Sequence, residues 1–158
     1  MLVSALVHIQ VFPMTQEPPR DAPSPCISFN LRRASRAVSQ AYDGFLQPSG
    51  LKTTQYSLLG HLLALGPLSM TQLAERLGLD RTTLTRNLRP LERRGLVAVG
   101  PGGDRRSRSV AVTEAGRQAF AAAKPLWAEA QRHFLDRLTP EGWRALRVLL
   151  DRAAGGPR

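Results

Sequence analysis

Two helix caps, Ser69 and Asp80, stand on either side of a glycine and constrain this chain more than any other feature of its sequence. In residues 69–112, SMTQLAERLGLDRTTLTRNLRPLERRGLVAVGPGGDRRSRSVAV, Ser69 precedes Gln72 by three positions. That pairing is a capping box, and it predicts a helix burying Leu73, Ala74 and Leu77 on one face. Gly78 ends the helix, and Leu79 with the second cap at Asp80 leaves only a tight turn before the next one. Two helices joined so closely must cross steeply, which is helix-turn-helix spacing.

The second helix is expected over residues 81–94. Leu84, Leu88 and Leu91 fall on one stripe at i, i+4 and i+7 and are assigned to the core. The opposite face carries Arg81, Thr82, Thr85, Arg86 and Arg89 near the N-terminal end, the part of a recognition helix that enters a major groove. Thr71 on the first helix and Thr83 on the second complete the candidate set. Arginine can grip guanine O6 and N7 with two hydrogen bonds, and threonine can touch a thymine methyl or a phosphate. Pro90 deprives the Arg86 carbonyl of its helical donor, so a bend is expected there. The periodicity resumes at Leu91, and Gly95 supplies a stop.

Two β-prone runs follow, residues 96–99 and 109–112, with a turn expected at residues 100–103. Their connection is longer than a two-residue hairpin turn and carries Arg105, Arg106 and Arg108, so the hairpin is a basic wing. A basic wing can follow the phosphates and set an arginine in a narrow minor groove. Asp104 is read as orienting Arg106. Here Asp104, Arg106, Val110, Val112 and Thr113 match D-x-R-x-x-x-V-x-[LV]-T, and the chain resembles the MarR family of bacterial transcriptional regulators. Residues 51–63 resemble the family's L-x-x-x-Q-[YF]-x-x-L segment, and Thr113 to Gly116 its T-x-x-G helix start. The likeness covers residues 26–154. It implies a mainly α fold with a two-stranded β-wing, a winged helix-turn-helix that forms a homodimer through its N- and C-terminal helices.

Charge supports a polyanionic partner. The chain of 158 residues carries a formal net charge of +10, and residues 81–108 alone hold eight basic side chains against two acids, six of that net ten. A GC-rich genome explains a preference for arginine over lysine but not this clustering. The length is that of one domain with a real core. Residues 1–25 are read as an arm outside the domain, flexible or a misread start with Met14 as the first native residue. The apolar stretch at their head is too short to span a bilayer and lacks the flanks of a signal peptide. In an ordered alternative, residues 2–12 pack on a partner subunit.

Residues 26–50 are read as a dimerisation segment whose helix, 27–45, has Ile27, Leu31, Ala34, Val38, Ala41, Tyr42 and Phe45 on one stripe. Residues 51–112 are the DNA-binding domain, opened by a helix over 54–65 capped by Thr53 or Thr54. Residues 113–154 hold one long helix to about residue 138, with Pro125 as a kink, and a last helix begun by Thr139-Pro140-Glu141 with Trp143, Leu146, Leu149 and Leu150 on its stripe. Residues 155–158 are a tail. A single winged domain cannot bury these terminal stripes, which makes them the expected dimer layer. A two-fold dimer sets two recognition helices about 34 Å apart, suited to a palindrome.

No enzymatic set emerges. One cysteine and three histidines, His8, His61 and His133, lack metal-ligand spacing, and no glycine-rich loop joins a strand to a helix. Neither cofactor nor metal is expected, and the localisation implied is the bacterial cytoplasm, at the nucleoid. Cys26 excludes an intrachain disulfide. Its segment resembles a branch of the family that carries C-x-C-x-N-L-R, with Ser28 in place of the second cysteine. The organic-hydroperoxide regulators of the family use a cysteine near this helix start, which makes Cys26 a redox candidate. The family also binds small aromatic ligands between dimer layer and winged module, and there Arg36, Tyr42, Gln55 and His61 are the candidate lining. Their competing readings are helix surface for Arg36 and Gln55, core for Tyr42 and packing for His61. The partners expected are double-stranded DNA, a second copy, and a small aromatic ligand or an oxidant. The function implied is a transcription regulator, read as a repressor. A winged-helix architectural module without sequence preference is the alternative, and the ratio of specific to random DNA binding separates the two.

Overall fold

The computed structural model describes residues 24–102 and 108–155. The expectations for the N-terminal arm up to residue 23, for the wing-tip residues Asp104, Arg105 and Arg106, and for the last three residues lie outside the described residues. The chain divides into two units, Met1–Arg36 and Ala37–Arg158. Helix α1, Ile27–Leu46, runs across that division. A 3₁₀ turn at Gln47–Ser49 follows it, closed by Gly50 at φ +67°.

In the second unit, α2 spans Thr53–Leu65 and opens differently from the sequence reading. Neither Thr53 nor Thr54 is the cap: Lys52 holds the cap position, and its N–H donates to the Gln55 side-chain oxygen at 3.0 Å. The Thr53 N–H donates to Asp43 at 2.6 Å. Gln55 is thereby drawn inward and is the one buried polar side chain among the described residues.

A two-residue strand, β1 (Leu68–Ser69), then leads into α3 (Met70–Leu77). Ser69 accepts the Gln72 N–H at 3.2 Å and Gln72 accepts the Ser69 N–H at 3.0 Å, the reciprocal capping box expected of this pair. Gly78 ends α3 at φ +62°, a left-handed conformation open to glycine without steric cost. Helix α4 is Arg81–Arg93, one residue shorter than read and continuous through Pro90. Its cap, Asp80, accepts the Thr83 N–H at 2.8 Å and the Thr83 hydroxyl at 2.7 Å.

Strands β2 (Val97–Pro101) and β3 (Arg108–Val112) form the wing. The expected turn at residues 100–103 gives way to strand at its start, because Gly100 pairs with Ser109 and Pro101 with Arg108. Strand β1 adds a third member on the far side of β3, with Leu68 opposite Val110, so β3 is the central strand. Leu58, Leu59 and Leu62 of α2, Leu73 of α3, the Leu84–Leu88–Leu91 stripe of α4, and Val97 and Val110 of the wing meet in one buried core.

Helices α5 (Glu114–Leu138) and α6 (Pro140–Ala153) complete the chain. Thr113 secures the start of α5 three ways. Its N–H donates to the Leu96 carbonyl at 3.1 Å, its hydroxyl donates to the Gly95 carbonyl at 2.6 Å, and it accepts the Gly116 N–H at 3.1 Å. A Cβ on Gly116 would collide with the Leu96 carbonyl oxygen and stand 2.7 Å from Val112 Cγ1. The T-x-x-G segment is thus a cap followed by the close approach that the cap requires. On α6 no residue is buried within the chain, and Leu149 remains 58% exposed.

Two outcomes follow from this architecture. Gly116→Ala forces helix and wing apart and should cost about 1–3 kcal/mol by chemical denaturation; an unchanged midpoint would show that the junction yields freely. The hydrogen bonds from Thr83, side chain before backbone, hold the Asp80 carboxyl below its ordinary value. A carboxylate depressed on folding stabilises the native state above its unfolded pKa and loses that effect as pH falls through the folded one. Asp80→Asn should therefore lower the melting temperature at pH 7 and make it fall less steeply than the parent's below about pH 4, where carboxylates titrate. Parallel profiles for the two proteins would exclude this contribution.

Candidate nucleic-acid interface

Helix α4 has two opposed faces because its leucines fall on one stripe. Leu84, Leu88 and Leu91 are 0%, 3% and 0% exposed, and the same burial turns Arg81, Thr82, Arg86 and Arg89 to solvent. Thirteen residues at 1.5 Å each make α4 about 20 Å long, a length that a major groove admits. Arg81, Thr82, Thr85, Arg86 and Arg89 line one shallow concavity, with Pro90 and Arg93 at its far end.

Arg93 is not among the contact residues named from sequence, although its spacing of four from Arg89 and seven from Arg86 is the signal that places it there. Arg108, the first residue of β3, shares a second concavity with Arg81, Thr85 and Arg89 and with one acid, Glu92, which joins wing and helix into one predominantly basic surface. Thr71 is exposed on α3 and borders a third hollow with Arg81. Among the described residues two ion pairs form, Arg117–Glu114 and Arg144–Glu141, and neither neutralises this surface.

Two threonines of the candidate set are already engaged. The Thr83 hydroxyl is donated to Asp80 and its side chain is half-buried, so its place is in the cap. The Thr85 hydroxyl donates to the Arg81 carbonyl at 2.8 Å, leaving its methyl and an acceptor lone pair free. Arg105 and Arg106 lie outside the described residues.

The second candidate site is a crevice of about 410 Å³ formed by Val38, Ser39 and Tyr42 of α1, Thr53, Tyr56, Ser57 and His61 of α2, and Trp127 of α5. Of the four residues named from sequence, Tyr42 and His61 line it. Gln55 does not: its side chain is spent on the start of α2. Arg36 belongs to the first unit. Tyr56 and Trp127, read as core or scaffold from their spacing, stack with centroids 5.8 Å apart and form the aromatic wall instead. Burial pushes the Tyr42 and Tyr56 phenols above their ordinary range, which keeps both neutral. The Tyr42 hydroxyl donates to the Gln131 side-chain oxygen at 2.7 Å, and its ring stacks on Phe134. Cys26 is exposed immediately ahead of α1.

Comparison with known proteins meets the same geometry. A MarR family model matches residues 49–107. The chain is 39% identical to the Mycobacterium tuberculosis transcriptional regulator MosR, whose structure was solved in complex with DNA; the match covers 82% of this chain and 97% of that one, at a TM-score of 0.72. A mutant Escherichia coli MarR complexed with operator DNA shares the fold at 20% identity and a TM-score of 0.73, over 80% of this chain and 91% of that one. The Bacillus subtilis HTH-type transcriptional regulator YwoH is 27% identical over 90 residues, 57% of this chain and 66% of that protein, just under two thirds of its length. No helix among the described residues is long and apolar enough to cross a membrane. With its helix-turn-helix and wing in place and MosR alike over almost its whole length, the chain belongs to the MarR family of transcriptional regulators, which are not enzymes.

Proposed function

We propose that this chain is a homodimeric repressor that reads a palindromic operator through α4 and β3 and releases it when a small molecule fills the crevice beside Trp127. The observation that carries the reading is the arginine surface of α4, which takes part in no ion pair among the described residues and is continuous with Arg108 of the wing. Arg86 and Arg89 serve as base readers in the major groove, while Arg81, Arg108 and Thr71 hold the phosphates. Arg105 and Arg106 extend the wing toward the minor groove on sequence grounds alone. MosR and E. coli MarR were each captured with DNA, which supports the same partner here.

Dimerisation is supported by apolar surface that the chain leaves open at both ends: Ile27 is 73% exposed on α1, and Val148 and Leu149 are 50% and 58% exposed on α6. A two-fold pairing of these helices covers both stripes and sets the α4 helices about one DNA turn apart. Such a dimer, lying across a promoter in the cytoplasm, occludes it. A ligand in the crevice weakens DNA binding by as much as it prefers the wrong spacing of the two readers, and DNA must weaken the ligand by the same factor.

Arg86→Ala should lose about 1–3 kcal/mol of operator affinity together with preference at one base pair, and Arg108→Ala should weaken all sequences alike and lower the salt slope by about one. Operator enriched from genomic fragments, titrated by fluorescence anisotropy against random DNA, reads both effects. Parent-like binding by both variants would overturn the assignment of this face, and equal affinity for random DNA would make the protein an architectural module. The melting temperature should rise with protein concentration, and a monomer in sedimentation at micromolar concentration would contradict the dimer. Peroxide should leave the operator complex intact; release in the parent but not in Cys26→Ser would move the switch to the thiol.

A further inference from the structure

Arg94 belongs by sequence to the basic cluster of residues 81–108, yet its side chain is engaged elsewhere. It caps the C-terminal end of α4 and lines neither concavity that holds the other arginines of that helix. Its Nη1 instead donates to the Gly50 carbonyl oxygen at 2.7 Å, across 44 positions of sequence. The acceptor is fixed by its own turn. Leu46 and Leu51, on either side of the turn that follows α1, are buried in the core at 0% and 2% exposure. Between them the Ser49 hydroxyl donates to the Leu46 carbonyl at 2.7 Å and accepts the Leu51 N–H at 3.2 Å, and the Gly50 N–H donates to the Gln47 carbonyl at 3.0 Å. Gly50 sits at φ +67°, and a Cβ built there would lie 3.5 Å from Arg94 Nη2, so the guanidinium packs against the glycine as well as bonding to it. The next residue is held from the other side, since the Gly95 carbonyl accepts the Thr113 hydroxyl at 2.6 Å.

From this geometry we propose that Arg94 is a positioning residue: without touching DNA, it fixes the angle of α4 against the turn after α1, and with it the separation of the two readers, an inference that rests on the two-fold reading above. The leucine stripe decides which face of α4 is buried, but apolar packing has no preferred direction. A hydrogen bond from a guanidinium has one. The lever is long. Helix α4 measures about 20 Å, so a swing of about 10° at its C-terminal end moves Arg81 by about 3.5 Å, close to one base-pair step.

Operators whose centre is lengthened or shortened by one base pair read this angle, titrated by fluorescence anisotropy with the full-length parent, Arg94→Met and Arg94→Lys. Arg94 is exposed, so both variants should keep the parent's fold by circular dichroism. The parent should prefer one spacing. Arg94→Met should reduce that preference roughly tenfold, the effect of one hydrogen bond to a charged group, while its salt slope stays at the parent's value. Arg94→Lys, which keeps a donor, should restore part of the preference. A salt slope lower by about one in Arg94→Met would make Arg94 a phosphate contact and overturn the proposal. A spacing preference in Arg94→Met equal to the parent's would overturn it too, with the two-fold reading left standing. A parent indifferent to spacing would instead remove the two-fold reading, and the role of Arg94 with it.

Discussion

The leucine stripe of α4 holds the reader in place. Leu84, Leu88 and Leu91 anchor the helix to α2, α3 and β2, and because they share one face, the arginines have no choice but the other. The energies are unequal. Burying a leucine contributes about 1.5–3 kcal/mol, whereas like charges one turn apart on an exposed helix, such as Arg86 with Arg89 or Arg89 with Arg93, cost about 0.2–0.5 kcal/mol per pair. Three buried leucines therefore outweigh the repulsion of a basic face several times over. The helix can carry a cationic surface without surrendering its position.

What the leucines do for α4, the Thr113 junction does for the wing. Strand β3 lies centrally between β1 and β2, and the backbone between Gly95 and Leu96 is gripped by Thr113 just where α5 begins. The close approach at Gly116 leaves little play between α5 and the turn that launches β2. The start of α5 and the launch of β2 are therefore held in close contact. Trp127, on the same helix, faces the crevice from which the proposed ligand acts. Wing and crevice thus share one helix, α5, and one short segment of backbone.

Much of this was legible from the residues because the determinants are local. Ser69 with Gln72, Gly78, Asp80 and Thr113 act within three or four positions of themselves, and each performs the cap or stop that its spacing announced. The α4 stripe was equally plain, since a 3.6-residue period survives in any surroundings. What escaped depends on distant partners. Strand β1 is two residues long and exists only because β3 pairs with it some forty positions later. Gln55 resembles a surface glutamine until the chain turns at Lys52 and offers it a bare N–H. Tyr56 and Trp127 were visible as apolar periodicity, but their role as a crevice wall required α1, α2 and α5 to be brought together.

The central claim is that α4 reads base edges from the major groove, twice per site. Dimethyl sulfate footprinting tests this most directly, since it modifies guanine N7 in the major groove and adenine N3 in the minor groove. On an operator fragment selected from genomic DNA, the account predicts two clusters of protected guanine N7 positions whose centres are about 10 base pairs, or a small multiple of one helical turn, apart. Unprotected guanines throughout a bound site, or a single unrepeated cluster, would contradict it.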